Sequence, residues 1–167
     1  MDSKRAVPFR LRPAAEQDRA FLYALHCQTM RAMIEQTWGW DEAWQKQDFN
    51  RRFREYTVSI IETADRATGA LLLESKPDSI YIHELQVSPG YQGLGIGGAV
   101  VQWVLEQAAS RGVSVTLSAL EVNPRARQLY ERLGFQVTAF DTPFFRMRHD
   151  ARWRVGTLPD RSSAPHA

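Results

Sequence analysis

Four glycines fall within six residues, Gly93, Gly95, Gly97 and Gly98, in the stretch VSPGYQGLGIGGAV that spans residues 87–100. A hydrophobic run enters this stretch and an apolar, helix-forming run leaves it. No other feature restricts the fold as strongly. Glycine accepts left-handed backbone and lets a bulky ligand touch the main chain. The free amides and dipole at the start of a helix favour an anion there. The junction therefore asks for a strand, a ligand-facing loop, a helix, and a crossover to a second strand lying parallel to the first.

Periodicity and turn residues fill in the remainder. Residues 9–12, 57–63, 70–75, 80–87, 113–120, 135–141 and 145–149 read as strands. Residues 15–36, 42–56, 95–111 and 124–133 read as helices. Asp41 is placed to cap the second helix, Gly112 to end the third, and Pro124 suits a first turn. The turn ADRATG joins two of the strands, which are then antiparallel. The sheet must be mixed. The chain has 167 residues, enough for one domain with a sizeable core, read as residues 1–150 with a polar tail over 151–167. Lysine and arginine are interspersed with acids at a net charge of +2, which does not point to nucleic acid. No apolar leader or membrane-spanning run is present, and the single cysteine, Cys27, cannot form an internal disulfide. These features fit a soluble, cytoplasmic protein away from membranes.

Three phosphate-binding patterns compete for the loop. A P-loop needs a Lys-Ser or Lys-Thr after the last glycine, and none follows. The dinucleotide triplet GxGxxG is met by Gly93, Gly95 and Gly98. In that fold, however, the first glycine follows the strand at once, whereas Ser88, Pro89, Gly90, Tyr91 and Gln92 intervene here. The third pattern, Gln-x-x-Gly-x-Gly opening a helix, reads Gln92-Gly93-Leu94-Gly95-Ile96-Gly97.

Together with Leu85, Val87, Pro89 and Tyr91, this loop resembles the core motif of the GNAT superfamily, the acetyl-coenzyme A-dependent N-acetyltransferases. A second family motif, Asn-x-x-Ala-x-x-x-Tyr-x-x-x-Gly-Phe, is matched downstream by Asn123, Ala126, Tyr130, Gly134 and Phe135. The resemblance extends over residues 9–149, with sharp motifs only between Ile80 and Phe135. It implies an α/β (α+β) GNAT fold: a central mixed, mostly antiparallel twisted sheet of about seven strands flanked by about four helices. It also implies acetyl-coenzyme A as cosubstrate without a metal, and acetyl transfer to a primary amine of a small molecule or a peptide or protein. A homodimer is common in such proteins. Two other readings stay open: a non-catalytic acyl-coenzyme A-binding or regulatory module, and a transferase for a longer acyl group.

The resemblance assigns roles to particular residues. Amides of Leu94, Gly95, Ile96, Gly97 and Gly98 would cradle the pyrophosphate, with Gln92 and Gly93 also contacting the coenzyme. Backbone groups of Leu85, Gln86 and Val87 would pair with the pantetheine arm as an added strand does, in a splay between residues 80–87 and 113–120. The Val87 amide would polarise the thioester oxygen. Asn123 and Ala126 would complete the arm site, and Tyr130 would act as the acid for the departing thiolate. The base is His83 or Glu84, read as lying on opposite faces of their strand. Ser118, where some relatives carry a catalytic Glu, cannot be that base, and Glu121 reads as a surface charge.

MIEQTWGWDEAWQKQDF mixes aromatic and acidic groups in a segment that borders the acceptor site in the family. Trp38, Trp40, Asp41 and Glu84, with Phe144 opposite, suit a cationic amine through ring faces and ion pairs. Arg31, Arg51, Arg52 and Arg54 read as a solvated helix face, or as a receiver of an acidic substrate or of the coenzyme 3′-phosphate. Cys27 reads as a buried small residue rather than a nucleophile.

Overall fold

Turn chemistry and apolar periodicity divide residues 7–150, those that the computed structural model describes, into seven strands and four α-helices. The polar tail expected over residues 151–167 lies outside the described residues. In chain order the elements are β1 (Arg10–Pro13), α1 (Arg19–Trp38), α2 (Glu42–Glu55), β2 (Thr57–Thr63), β3 (Arg66–Ser75), β4 (Ser79–Val87), α3 (Ile96–Arg111), β5 (Ser114–Leu120), α4 (Pro124–Arg132), β6 (Gln136–Asp141) and β7 (Phe144–His149). None of the described helices is long and apolar enough to cross a membrane.

Two boundaries differ from the sequence reading by more than two residues, each for a local reason. The first helix starts at Arg19 because Glu16–Asp18 form a tighter 3-10 turn. There the Asp18 carboxylate accepts the Ala15 amide at 2.7 Å and both terminal nitrogens of Arg12, and the Arg12 contact holds its pKa below the ordinary value. Strand β3 begins at Arg66 rather than residue 70, because the hairpin turn contracts to Ala64 and Asp65, with φ of 48° and 59°. Paired positive φ values match the twist of the flanking strands, so a two-residue turn suffices.

The sheet order is β1-β2-β3-β4-β5-β7-β6. Every neighbouring pair is antiparallel except β4 and β5, which the α3 crossover makes parallel. Alternation along the strands produces two cores. Ile61, Leu71, Ile80, Ile82, Val115, Leu117 and Met147 pack with α3 on one face, joined by Tyr130 and Phe135. Ile60, Ala70 and Leu72 pack with Leu22 and Leu25 of α1 on the other.

Two irregularities in β4 open the sheet and turn its side chains. Strands β4 and β5 pair only from Ser79 with Ser114 to Ile82 with Leu117, and beyond that they part. Against β3, Leu73 pairs with Ile82 but Leu72 pairs with Glu84, so His83 is an inserted bulge residue. The bulge resets the alternation. Ile80 and Ile82 belong to the same core as Leu85 and Val87, a step of three residues across the bulge. His83 and Glu84 therefore share the α1–α2 face, which corrects their expected placement on opposite faces.

Candidate active site

Where β4 and β5 part, two cavities meet. The first, about 540 Å³, opens at the glycine loop and is lined by Val87, Gln92, Gly93, Gly95, Ile96, Gly97 and Gly98. Gly93 and Gly95 hold φ at 77° and 82°, the left-handed region that favours glycine, and Gly95 is the N-cap of α3 without a side chain to bond the helix amides. The first amides of α3 are thus left for a ligand. Ile96 is buried in the core, so only its main chain can serve, and the side chain of Leu94 is 42% exposed. Gln92 donates from Nε2 to the Val87 carbonyl at 2.8 Å and accepts from Arg125 at 3.3 Å, tying the loop to α4. Arg125 and Arg132 line this cavity and no acidic residue among the described ones does. The cations available there are these two rather than Arg31, Arg51 or Arg52, which pair with Glu35, with Asp48 and Glu55, and with Glu84.

The second cavity, about 720 Å³, lies between the sheet and helices α1 and α2. Its wall has the opposite character: Asp41, Asp48 and Glu84 against Arg52, the single arginine among the described lining residues, with Trp38, Trp44 and Phe144 as aromatic surface. Trp38 and Phe144 form a tilted ring pair with centroids 5.8 Å apart, and Trp38 and Trp44 are both 57% exposed. Trp40, expected beside them, is engaged elsewhere. Its indole N–H donates to Glu42 at 2.8 Å, and Arg31 lies 5.0 Å over its ring. Asp41 accepts the Trp44 amide at 3.0 Å, so it caps α2 and still lines the cavity. The two cavities share Met30, Leu85, Gln86, Asn123, Ala126 and Tyr130.

The titratable groups at this junction are not equivalent. Tyr130 is 8% exposed, packs edge-on against Phe135, and burial alone pushes its phenol up to about 12. Asn123 spends its Oδ1 on the Ala126 amide at 3.1 Å as the cap of α4. Glu84 is paired with Arg52 and also accepts from Gln86 at 3.0 Å. His83 hydrogen-bonds Glu74 through Nε2 at 2.8 Å, and burial holds its pKa below the ordinary histidine value against the opposing pull of Glu74. Ser118 also lines the second cavity, but its hydroxyl bonds both Tyr81 and Arg146. Cys27 is half-buried rather than buried and lies outside both walls.

Sequence reasoning missed the inner faces of α1 and α2. His26, Met30 and Ile34 recur every four residues and lead to Trp38, which the sequence did single out, and Gln45 and Asp48 precede Arg52 at helical spacing, all on the cavity wall. Polar residues on what should be the inward stripe of α2 were the available signal.

The chain is similar to known acetyltransferases. It is 40% identical over 62 residues to a thialysine N-epsilon-acetyltransferase of Bos taurus, a match covering 36% of each chain. It is 29% identical over 104 residues to an L-2,4-diaminobutyric acid acetyltransferase of Nocardia farcinica, covering 56% of this chain and 54% of that one. The chain thus spans between about a third and about half of the length of these relatives. The fold superposes on the PaiA N-acetyltransferase of Thermoplasma acidophilum in complex with coenzyme A, with a TM-score of 0.70 and 13% identity over 86% of this chain and 99% of that one. The family model described as "Acetyltransferase (GNAT) family" matches residues 19–135, from the start of α1 through the second motif. The chain belongs to the GNAT acetyltransferase family.

Proposed function

We propose that this protein transfers the acetyl group of acetyl-coenzyme A directly to a primary amine that carries positive charge. One observation carries the reading: two cavities of opposite charge character meet at the splay of β4 and β5, with Tyr130 in the wall of both. The loop cavity offers uncapped helix amides and two arginines, which suits a pyrophosphate. The cavity under α1 and α2 offers carboxylates and exposed tryptophans, which suits a cation. The relatives named for thialysine and 2,4-diaminobutyric acid support an amine of this kind.

Bound acetyl-coenzyme A supplies an acyl thioester with a thiolate leaving group. The chain supplies the remainder. The edge of β4 that faces β5 has no strand partner beyond Ile82 among the described residues, and backbone groups of Leu85, Gln86 and Val87 are suited to the pantetheine arm and the thioester oxygen. Tyr130 holds a phenolic proton for the sulfur. An acceptor ammonium must lose a proton before it can attack, because its ordinary pKa is about 10.4. Of the two candidate bases, His83 is the better placed, since Glu84 is neutralised by Arg52 and donated to by Gln86. No covalent acetyl-enzyme is required, because the Ser118 hydroxyl is held between two partners and Cys27 is outside the cavities.

Thiol release from acetyl-coenzyme A tests this reading, run with 1,4-diaminobutane, spermidine, 2,4-diaminobutyric acid, thialysine, phenethylamine, an uncharged-backbone peptide amine and a no-acceptor blank. Release that depends on a cationic amine supports it. Confirmed coenzyme binding with no release over the blank would refute the proposal and leave a binding module or a transferase for a protein amine.

A further inference from the structure

We propose that Glu74 is a positioning residue that makes His83 a base, by holding the proton of the neutral imidazole on Nε2 and leaving Nδ1 to receive a proton from the acceptor. The inference rests on the assignment of His83 as base and goes one residue beyond it. No motif marks Glu74, which reaches the site only because β3 and β4 pair. Glu74 sits directly opposite Tyr81, and the bulge carries the His83 ring to the diagonal position on the same face. Diagonal neighbours are within reach of long side chains, and the Glu74 carboxylate meets Nε2 at 2.8 Å.

The ring is fixed on a second side. Tyr56, at the end of α2, stacks on it with centroids 3.8 Å apart and planes 19° apart. Tyr81 leans against it at 4.6 Å. Stack and hydrogen bond together set both the plane and the rotation of the imidazole. The other nitrogen, Nδ1, has no hydrogen-bond partner among the described residues and is not a sealed buried atom, and His83 is part of the cavity wall. A carboxylate accepts only, so Nε2 must be the donor and Nδ1 carries the lone pair.

Charged and titratable neighbours converge on the ring from each side. Glu74 comes from β3 and favours the imidazolium, as does Glu84 from β4. Arg52 from α2 opposes it. Lys76, just past β3, lies 3.8 Å from Glu74 and competes for it, and also sits over Tyr81. Tyr56 and Tyr81 complete the surround. In the step itself an ammonium N–H bond breaks and an Nδ1–H bond forms. The positive charge moves onto an imidazolium whose Nε2–H still points at Glu74. Water later takes the proton from Nδ1, and nothing is oxidised or reduced.

Side-chain nitrogen–proton correlation spectra of 15N-labelled protein across pH 4–9 test the role without any acceptor, with the His83 signals identified by their loss in His83→Gln. Wild type should show neutral His83 as the Nε2–H form. Glu74→Gln should convert it wholly or partly to Nδ1–H, because a Gln amide can donate to Nε2, and should move its midpoint to lower pH. Glu74→Asp should restore the Nε2–H form in part. In thiol release with 1,4-diaminobutane or spermidine, Glu74→Gln should lower kcat by about ten- to a hundredfold, a fraction of the about 10²- to 10⁴-fold that a positioned base contributes, with coenzyme affinity within about twofold. A wild-type His83 already in the Nδ1–H form, or one unmoved by Glu74→Gln, overturns the positioning role while leaving the base assignment standing. Unchanged kcat in His83→Gln overturns the base assignment, and the positioning role with it.

Discussion

Replacing Tyr130 by Phe removes one oxygen and leaves the ring in place. The ring packs edge-on against Phe135 in a core that also holds Ile82, Leu117 and Met147, so packing is conserved. The size of the effect follows from where burial puts the phenol. At a pKa of about 12 the group is fully protonated at any ordinary assay pH. An unperturbed thiol titrates near 8.5, so complete transfer of the phenolic proton to a thiolate runs uphill by about 5 kcal/mol. The phenol therefore contributes mainly as a hydrogen-bond donor to sulfur as negative charge builds there. A hydrogen bond to a charged group is worth roughly 1.5–3 kcal/mol, which is about 10- to 150-fold in kcat. The assay is steady-state thiol release for the wild type and Tyr130→Phe, with coenzyme affinity measured by titration calorimetry. The expected result is a kcat lower by that factor, affinity within about twofold, and no alkaline limb that the substitution removes below pH 10. Unchanged kcat, or an alkaline limb near pH 9 that vanishes in Tyr130→Phe, would refute the reasoning.

Other substitutions probe separate parts of the account. Gly95→Glu places a charged side chain at a residue with φ of 82° beside the uncapped helix amides, and should weaken coenzyme binding at least about a hundredfold by calorimetry, whereas Gly95→Asn, which tolerates left-handed backbone at a cost of about 1–2 kcal/mol, should retain the fold by circular dichroism. Asp41→Ser keeps a side chain able to cap α2 but removes a charge from the acceptor wall; the KM for a diamine should rise by about two- to fivefold, with thermal stability nearly unchanged. Gly69→Ala should destabilise the fold by about 1–3 kcal/mol in urea denaturation, because a Cβ there would lie 2.4 Å from the Gln86 carbonyl oxygen. Activity should fall steadily below pH 6.5 as His83 takes up a proton, and the midpoint should lie below that ordinary value because burial lowers the pKa of the ring; a midpoint above 7 would contradict the environment described.

The loop and the two motifs were legible in the sequence because their chemistry is local. Glycines at left-handed positions, the Asp41 and Asn123 caps and the strand-to-helix junction depend on residues a few places apart. Most strand limits followed from alternation and fell within one residue of those observed, the start of β3 being the exception. What stayed hidden depends on partners far along the chain. The bulge at His83 exists only in the register of β4 against β3, so simple alternation set His83 and Glu84 on opposite faces. The contacts that decide between them, Glu74 with His83 and Arg52 with Glu84, join residues on separate elements. Trp40 illustrates the converse. Its neighbours in sequence suggested an acceptor wall, but Glu42 and Arg31 occupy it.

The most direct measurement follows the acetyl group itself. The protein is incubated with acetyl-coenzyme A carrying a heavy-isotope acetyl group and with 1,4-diaminobutane or spermidine, and both the amine and the intact protein are weighed by mass spectrometry during turnover. Direct transfer between the two cavities predicts labelled N-acetyl amine, formed only when both substrates are present, and protein of unchanged mass throughout. Label that accumulates on the protein, or coenzyme that binds while the amine stays unlabelled, would contradict the account.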